Sequence, residues 1–317
     1  MKITEILAKA KETQVSFEVL PPLKGKSIQS LYNIIDQLME FKPPFIDVTY
    51  HREDFEYKLM PSGYYEKVAI RKRPGTVGIC ASIMGKYNVE AVPHLICGGF
   101  KVEETENALI ELAYLGVQNV LALRGDARKF EKTFVPEPGG HKYAIDMVKQ
   151  MHDMNEGRYL DADLHDAYKT NFCIGVAGYP EKHFEATSFR KDLQHLKNKM
   201  DAGGDYIVTQ MFFDNKAFLK FVKDCREIGI DAPIIPGIKP LTKKSQLKTI
   251  PSTFHIDIPD ELENEMEKCK TPEAEKQLGI EWCVQQSKEL LKAGVPCLHY
   301  YTMGDVKTLG NVVRGVF

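Results

Sequence analysis

The 317-residue chain has no Cys-X-X-Cys pair, no glycine-rich phosphate-binding signature and no apolar run of transmembrane length. Its seven cysteines (Cys80, Cys97, Cys173, Cys225, Cys269, Cys283 and Cys297) are odd in number and widely spaced, which argues against both a disulfide framework and a zinc knuckle. Neither GxGxxG nor GxxxxGKS/T occurs, so a dinucleotide, if bound, is not held in the Rossmann or P-loop way. The opening residues MKITEILAKAKETQ carry charge throughout and lack the apolar core of a signal peptide. Charge of one sign is not in excess either. With 42 Lys and Arg against 44 Asp and Glu, the net charge of −2 gives no electrostatic reason to expect nucleic acid or an acidic membrane as partner. A reducing, cytoplasmic setting fits these absences best.

What is present is enough to build a sizeable core, at 43% hydrophobic and 27% charged residues. Short apolar runs rich in β-formers recur along the chain. Val15–Leu20, Phe45–Tyr50, Val89–Ile96, Asn119–Arg124, Phe172–Tyr179, Tyr206–Phe212, Pro233–Ile238 and Pro296–Tyr301 read as strands. Helical spacing appears between them, as in Leu31, Ile34, Ile35 and Leu38. Thr76–Met84 reads as helix, and a further helix is expected over Gly63–Arg71. Eight strands alternating with helices predict an α/β protein, a (β/α)8 TIM barrel formed as a single domain over 1–317. The acidic stretch near 155–171 lacks the glycine and glutamate of a calcium loop and reads as a solvated insert.

The strand Asn119–Arg124 ends abruptly in Arg124, Gly125 and Asp126. In a parallel barrel that end faces the ligand. Arg124 could fork onto paired anion oxygens, Gly125 could let backbone approach a ligand, and Asp126 could bond a polar group. A solvated Arg–Asp pair beside a turn glycine explains the same residues. Glu18 interrupts the first strand, where a carboxylate needs a partner or a proton unless it faces outward. His94 suits either a core position or a site. If the strand ends meet, they collect Glu18, Thr49, Tyr50, His94, Arg124, Asp126, Tyr179, His183, Gln210 and Tyr301. That set suits a planar, hydrogen-bonding ligand bearing phosphate, and none of its members has metal-ligand spacing.

Ser16-Phe17-Glu18 before Pro21-Pro22, Val48-Thr49-Tyr50, Pro93-His94-Leu95, Ala122-Leu123-Arg124-Gly125-Asp126, Tyr179-Pro180-Glu181 with His183, and Thr209-Gln210-Met211-Phe212-Phe213-Asp214 occur in that order. In this the chain resembles the 5,10-methylenetetrahydrofolate reductases, flavin-dependent TIM barrels, from about residue 12 to 303. The resemblance covers the catalytic barrel and not the regulatory domain of longer members. It implies noncovalent FAD contacted by Tyr50, His94, Arg124, Gly125, Asp126, Tyr143, Ala144, Tyr179, His183, Ala186, Asp192 and Lys199. It places Thr49 and Gln210 at a face shared by nicotinamide and folate, and Gln246 on the folate. The chain departs from the pattern at His51-Arg52, at His195 and Asn198, and at Met303-Gly304-Asp305, where an arginine anchor for folate is missing and Lys307 is the candidate substitute. Bacterial members tend to be homo-oligomers, so a homo-oligomer is expected.

The activity so implied takes a hydride from NADH or NADPH to FAD and then to methylenetetrahydrofolate, whose five-membered ring opens as a proton reaches the departing nitrogen. Glu18, kept protonated by an apolar strand, is the expected acid. Asp126 is the second expected catalytic residue, tuning the flavin and bonding the pterin. An amine- or proline-oxidising flavin barrel, a flavin-free pterin methyl-transfer barrel and a non-catalytic folate-binding barrel are the rival readings.

Overall fold

The computed structural model of the chain describes residues 1–128 and 131–317. Helix α1 (Ile3–Lys9) leads into β1 (Gln14–Val19), α2 (Gln29–Leu38), a 3-10 turn at Met39–Phe41 and β2 (Phe45–Val48). A hairpin of β3 (Asp54–Leu59) and β4 (Tyr65–Ile70) follows, then α3 (Thr76–Tyr87), β5 (Glu90–Ile96), α4 (Val102–Tyr114) and β6 (Asn119–Leu123). The chain continues through α5 (Ala144–Asn155), β7 (Cys173–Gly178), α6 (Phe189–Asp201), β8 (Tyr206–Thr209) and α7 (Asn215–Glu227). Last come β9 (Ile234–Ile235), β10 (Gly237–Ile238), α8 (Gln246–Phe254), α9 (Asp260–Lys268), α10 (Pro272–Lys292), β11 (Cys297–Tyr301) and α11 (Val306–Val316).

The main sheet is parallel and runs β10-β11-β1-β2-β5-β6-β7-β8-β9. Its two end strands, β9 and β10, are separated in the chain by Pro236 alone. Proline has no N–H to give a ladder and so marks the break. Its carbonyl still accepts from the His299 N–H at 3.1 Å. Residues 234–238 therefore act as one strand that pairs with β8 on one side and β11 on the other, and the sheet closes on itself. This is the expected (β/α)8 barrel. Among the described residues, no helix is long and apolar enough to cross a membrane.

Strand alternation builds two cores. Phe17, Val19, Ile46, Val48, Ala91, Leu95, Val120, Ala122, Ile174 and Ile207 pack outward against helix residues such as Leu31, Ile35, Leu109, Met151 and Leu290. The opposite parity, Phe45, Val92, Leu121, Cys173, Tyr206 and Cys297, fills the lumen with Ile3 and Leu7 of α1. Helix α1 is thus a plug, tied in by the Ile3 N–H donating to Asn119 Oδ1 at 2.8 Å. The inward parity turns polar toward the strand C-termini, with Glu18 of β1 beside Asp47 of β2 and Tyr301 of β11.

The helix expected over Gly63–Arg71 is absent; that stretch supplies β4 and the turn before it. Phe55-Glu56-Tyr57-Lys58 alternates with period two, and Met60-Pro61-Ser62-Gly63 is turn sequence that returns the chain alongside it. Gly63 sits at φ +82°, and the Met60 N–H donates to the Tyr64 carbonyl at 2.8 Å. Strand β8 also ends at Thr209, three residues short of the expected Phe212, and Phe212 turns into the outer core beside Phe218. After Asn155, the last residue of α5, the insert near 155–171 contains no helix or strand; Asn155 Oδ1 pins its end by accepting from Thr170 Oγ1 and the Phe172 N–H, both at 2.8 Å.

Candidate active site

Strand register sets the polar half of the lumen. In β1 the inward residues after Gln14 are Ser16 and Glu18. Ser16 lies opposite His299 and Glu18 opposite Tyr301 in β11, while Glu18 faces Asp47 in β2. Because Phe17 and Val19 face the helices, the side of the strand opposite to them is the lumen rather than solvent. Glu18 therefore points into the barrel, with 14% of its side chain exposed at the mouth.

His94 of β5 approaches it across the lumen. Its Nε2 stands 3.8 Å from Glu18 Oε2 and 3.3 Å from Asp47 Oδ2. His94 and Asp47 are buried, at 6% and 1% side-chain exposure. Burial drives the Glu18 carboxyl up to about 7, opposed by the charge on His94 and assisted by that on Asp47. Burial alone would lower His94, but the hydrogen bond to Asp47 and the charges of Glu18 and Asp47 outweigh it, and its pKa is raised. Deeper still, Ser16 Oγ and His299 Nδ1 are 2.8 Å apart. Tyr301 caps the ring of strands, its hydroxyl donating to the Thr209 carbonyl at 2.6 Å.

A cleft opens beside the mouth. Asp126, Tyr179, Glu181, His183, Gln210 and Met211 line one wall, and Phe254, His255 and Ile256 the other. Tyr179 and His183 meet edge-to-face at 4.7 Å, while Phe184 stacks on His255 at 4.2 Å. Burial pushes the Tyr179 phenol up and the His183 imidazole down. Helix α6 supports this wall from behind. Asp192 accepts from the His183 N–H at 2.9 Å, and Lys199 Nζ donates to the Ala177 carbonyl at 2.6 Å. Buried there, Lys199 is lowered to about 8. The Ala186 N–H closes the preceding turn onto the His183 carbonyl at 2.9 Å.

The remaining expected residues spread around the mouth. Arg124 pairs with Glu185 and lies over the Phe134 ring at 5.2 Å. Gly125 adopts φ +83°, and a Cβ there would press on Ile96 at 3.3 Å. The Tyr50 ring packs 5.1 Å from Phe100. Thr49 Oγ1 is buried with no hydrogen-bond partner among the described residues. Tyr143 and Ala144 begin α5, with Tyr143 half exposed. Gln210 Oε1 accepts from the Met211 N–H at 2.9 Å. Gln246 Oε1 accepts from the Thr242 and Lys243 N–H groups at 2.7 and 3.1 Å, so its oxygen holds the turn that leads into its own helix. Asp305 caps α11, accepting from the Thr308 N–H at 3.1 Å. Lys307 lies between α2 and α11 with Asp36 and Arg314, away from the cleft-lining residues.

Two acidic residues were not singled out from sequence. Asp47 interrupts β2 as Glu18 interrupts β1, and that parallel was a readable signal. Glu181 lines the cleft and is raised to about 7 by burial, with one oxygen accepting the Asp257 N–H at 2.8 Å.

The family model for methylenetetrahydrofolate reductase matches residues 2–315. The chain belongs to that family. The 5,10-methylenetetrahydrofolate reductase of Pectobacterium carotovorum is 31% identical over 298 residues, covering 91% of this chain and 85% of its own length. Methylenetetrahydrofolate reductase (NADH) 1 of Arabidopsis thaliana is 34% identical, covering 96% of this chain but 48% of its own. The chain spans about half the length of the plant, yeast and animal reductases it matches, and most of the length of the bacterial ones. In fold it is similar to a Clostridium thermocellum protein that binds two copies of 5-methyl-5,6,7,8-tetrahydrofolic acid. That likeness has a TM-score of 0.58 at 13% identity and covers 99% of this chain and 97% of the other.

Proposed function

We propose that this chain reduces 5,10-methylenetetrahydrofolate to 5-methyltetrahydrofolate, using FAD and a reduced nicotinamide dinucleotide. The observation that carries the reading is Glu18, a carboxyl raised to about 7 at the mouth of a barrel of this family. The residues present fit a flavin. Arg124 offers a cation at a strand tip, Thr49 Oγ1 a buried unpartnered hydroxyl, and Gly125 a backbone free of a Cβ. Arg124, Tyr179, His183, Asp192 and Lys199 would hold it, with Asp126 and Gln210 on the cleft side. When bound, FAD supplies the hydride relay between nicotinamide and folate.

The chain's own part is to orient the folate and to deliver one proton. Glu18 gives its proton to the ring nitrogen as the C–N bond of the five-membered ring breaks, leaving an iminium carbon to accept hydride. The Glu18 carboxylate recovers a proton through the exposed mouth. Thr49, Gln210 and Gln246 are proposed to contact substrate, Gln246 after releasing the Thr242 and Lys243 N–H groups.

Anaerobic mixing tests the reading. The flavin is expected to bleach with NADH or NADPH and to regain its colour with methylenetetrahydrofolate, in ping-pong order. Both nicotinamides belong in the test, since relatives at 34% and 30% identity are named for NADH and NADPH respectively. A flavin that amines reduce and nicotinamides do not would replace this reading with an amine dehydrogenase.

A variant tests the flavin site separately. Arg124→Ala removes the cation that ends β6 and leaves Glu185 without its ion-pair partner. It is expected to fold with a far-ultraviolet spectrum like the parent's, yet to lose bound flavin on gel filtration. Retention of flavin at the parent's affinity would remove Arg124 from the site.

A further inference from the structure

We infer that Asp47 is a positioning residue whose carboxylate holds the His94 Nε2 proton and so leaves Glu18 free to keep a proton of its own. The inference rests on the function proposed above and goes beyond it, because it assigns the acidity of Glu18 to a residue that touches no substrate. Its basis is geometric. One nitrogen, His94 Nε2, faces two carboxylates, Asp47 Oδ2 at 3.3 Å and Glu18 Oε2 at 3.8 Å. A single N–H can be given to one of them. The shorter approach goes to Asp47, the more deeply buried of the two. Asp47 is fully enclosed, and its other oxygen has no partner among the described residues.

Charge counting in a buried site gives the consequence. With Asp47 ionised, the group is neutral when His94 and Glu18 each carry a proton. Without the Asp47 charge, neutrality leaves one proton for the two of them. The second then binds only at lower pH, because it would put an uncompensated cation in the lumen. The neighbours do not alter the count. His299, Tyr301 and Cys297 from β11, Tyr206 from β8, Cys80 from α3 and His51 after β2 are the other titratable groups felt by this cluster. Burial lowers the two histidines and raises the phenols and thiols, so each of the six is pushed toward its uncharged form. Because Glu18 and His94 are coupled, the quantity to follow is the proton count of the pair.

The test is a carbon and nitrogen NMR titration of the purified protein labelled at glutamate and histidine. Glu18 is assigned by its absence in Glu18→Gln and His94 by its absence in His94→Gln. In the parent, a charged His94 and a protonated Glu18 are expected together at about pH 6.5. In Asp47→Asn the Glu18 midpoint should fall by about one unit or more. By that one-unit shift, the folate half-reaction at pH 8 should slow about tenfold and recover in acid. A charged His94 paired with an ionised Glu18 in the parent overturns the inference, as does an unmoved or raised Glu18 midpoint in Asp47→Asn. If Asp47→Asn does not fold, the parent titration alone decides. If folate fails to reoxidise the parent flavin, the proposed function falls while the titration still judges Asp47.

Discussion

Glu18→Gln is expected to retain flavin and to be reduced by nicotinamide at a rate similar to the parent, while its reoxidation by methylenetetrahydrofolate falls by at least about a hundredfold, the lower end for loss of a general acid. Glutamine keeps the shape of the side chain and a hydrogen-bonding oxygen but has no acidic proton. Hydride transfer from nicotinamide needs no acid; opening the folate ring does. The pH dependence follows from the same group. The acid form is the active one and its pKa is about 7, so the parent's folate half-reaction should decline as pH rises through 7. The variant should show no such limb. Stopped-flow absorbance of each half-reaction at several pH values measures both effects. Equal slowing of the two halves would mean a displaced flavin, and an unimpaired folate half would move the acid elsewhere.

Glu181 is the alternative source, since burial raises it to about 7 as well. Its oxygen is already engaged by the Asp257 N–H at 2.8 Å, and it lines the side cleft rather than facing the lumen between β2, β5 and β11. Glu181→Gln in the same experiment separates the two. The assignment to Glu18 requires that the pH limb near 7 persist in that variant.

Gly237→Ala should carry the largest stability penalty at the barrel seam. A Cβ there would stand 2.5 Å from the Tyr301 hydroxyl and closer still to the Thr209 carbonyl oxygen. Those two atoms are bonded to each other at 2.6 Å, and the Gly237 N–H donates to Thr209 Oγ1 at 3.0 Å. Neither neighbour can retreat without parting β8 from the strand that closes the sheet. Overpacking of this kind costs about 3 kcal/mol, at the upper end of the usual range because backbone rather than a flexible side chain must move. Urea denaturation should show that loss, or the variant should fail to accumulate as folded protein. A midpoint indistinguishable from the parent's would mean that the seam relaxes freely. Because Tyr301 caps the lumen beside Glu18, a folded variant should also show a slower folate half-reaction.

Local patterning along the chain was sufficient for the barrel. The runs Phe45–Val48, Asn119–Leu123 and Cys297–Tyr301 are short, mostly apolar and separated by helical spacing, and right-handed parallel crossovers leave few ways to close such a series. Glu18 was legible for the same reason, as one carboxylate in a strand whose neighbours are Phe17 and Val19. The family motifs were legible because they sit at strand ends in order.

What alternation could not decide was which two surfaces it separated. In an open sheet the face opposite the core is solvent, whereas in a barrel it is a lumen, and only closure through residues 234–238 made Glu18 inward. Register between strands far apart in sequence then brought Asp47 and His94 to it, which no spacing along one strand encodes. Tyr65–Ile70 lies in the stretch expected as helix over Gly63–Arg71 because its Tyr, Glu, Lys and Val residues suit either period in so short a run, and pairing with Asp54–Leu59 across the turn settles the matter. The Arg124–Glu185 pair and the bond from the Thr242 N–H to Gln246 likewise depend on loops whose paths the tertiary structure sets. Local sequence determined which segments are strands and which carry chemistry. Long-range closure and register decided which charges meet, because a charge's acidity depends on the partners and the burial that folding assigns to it.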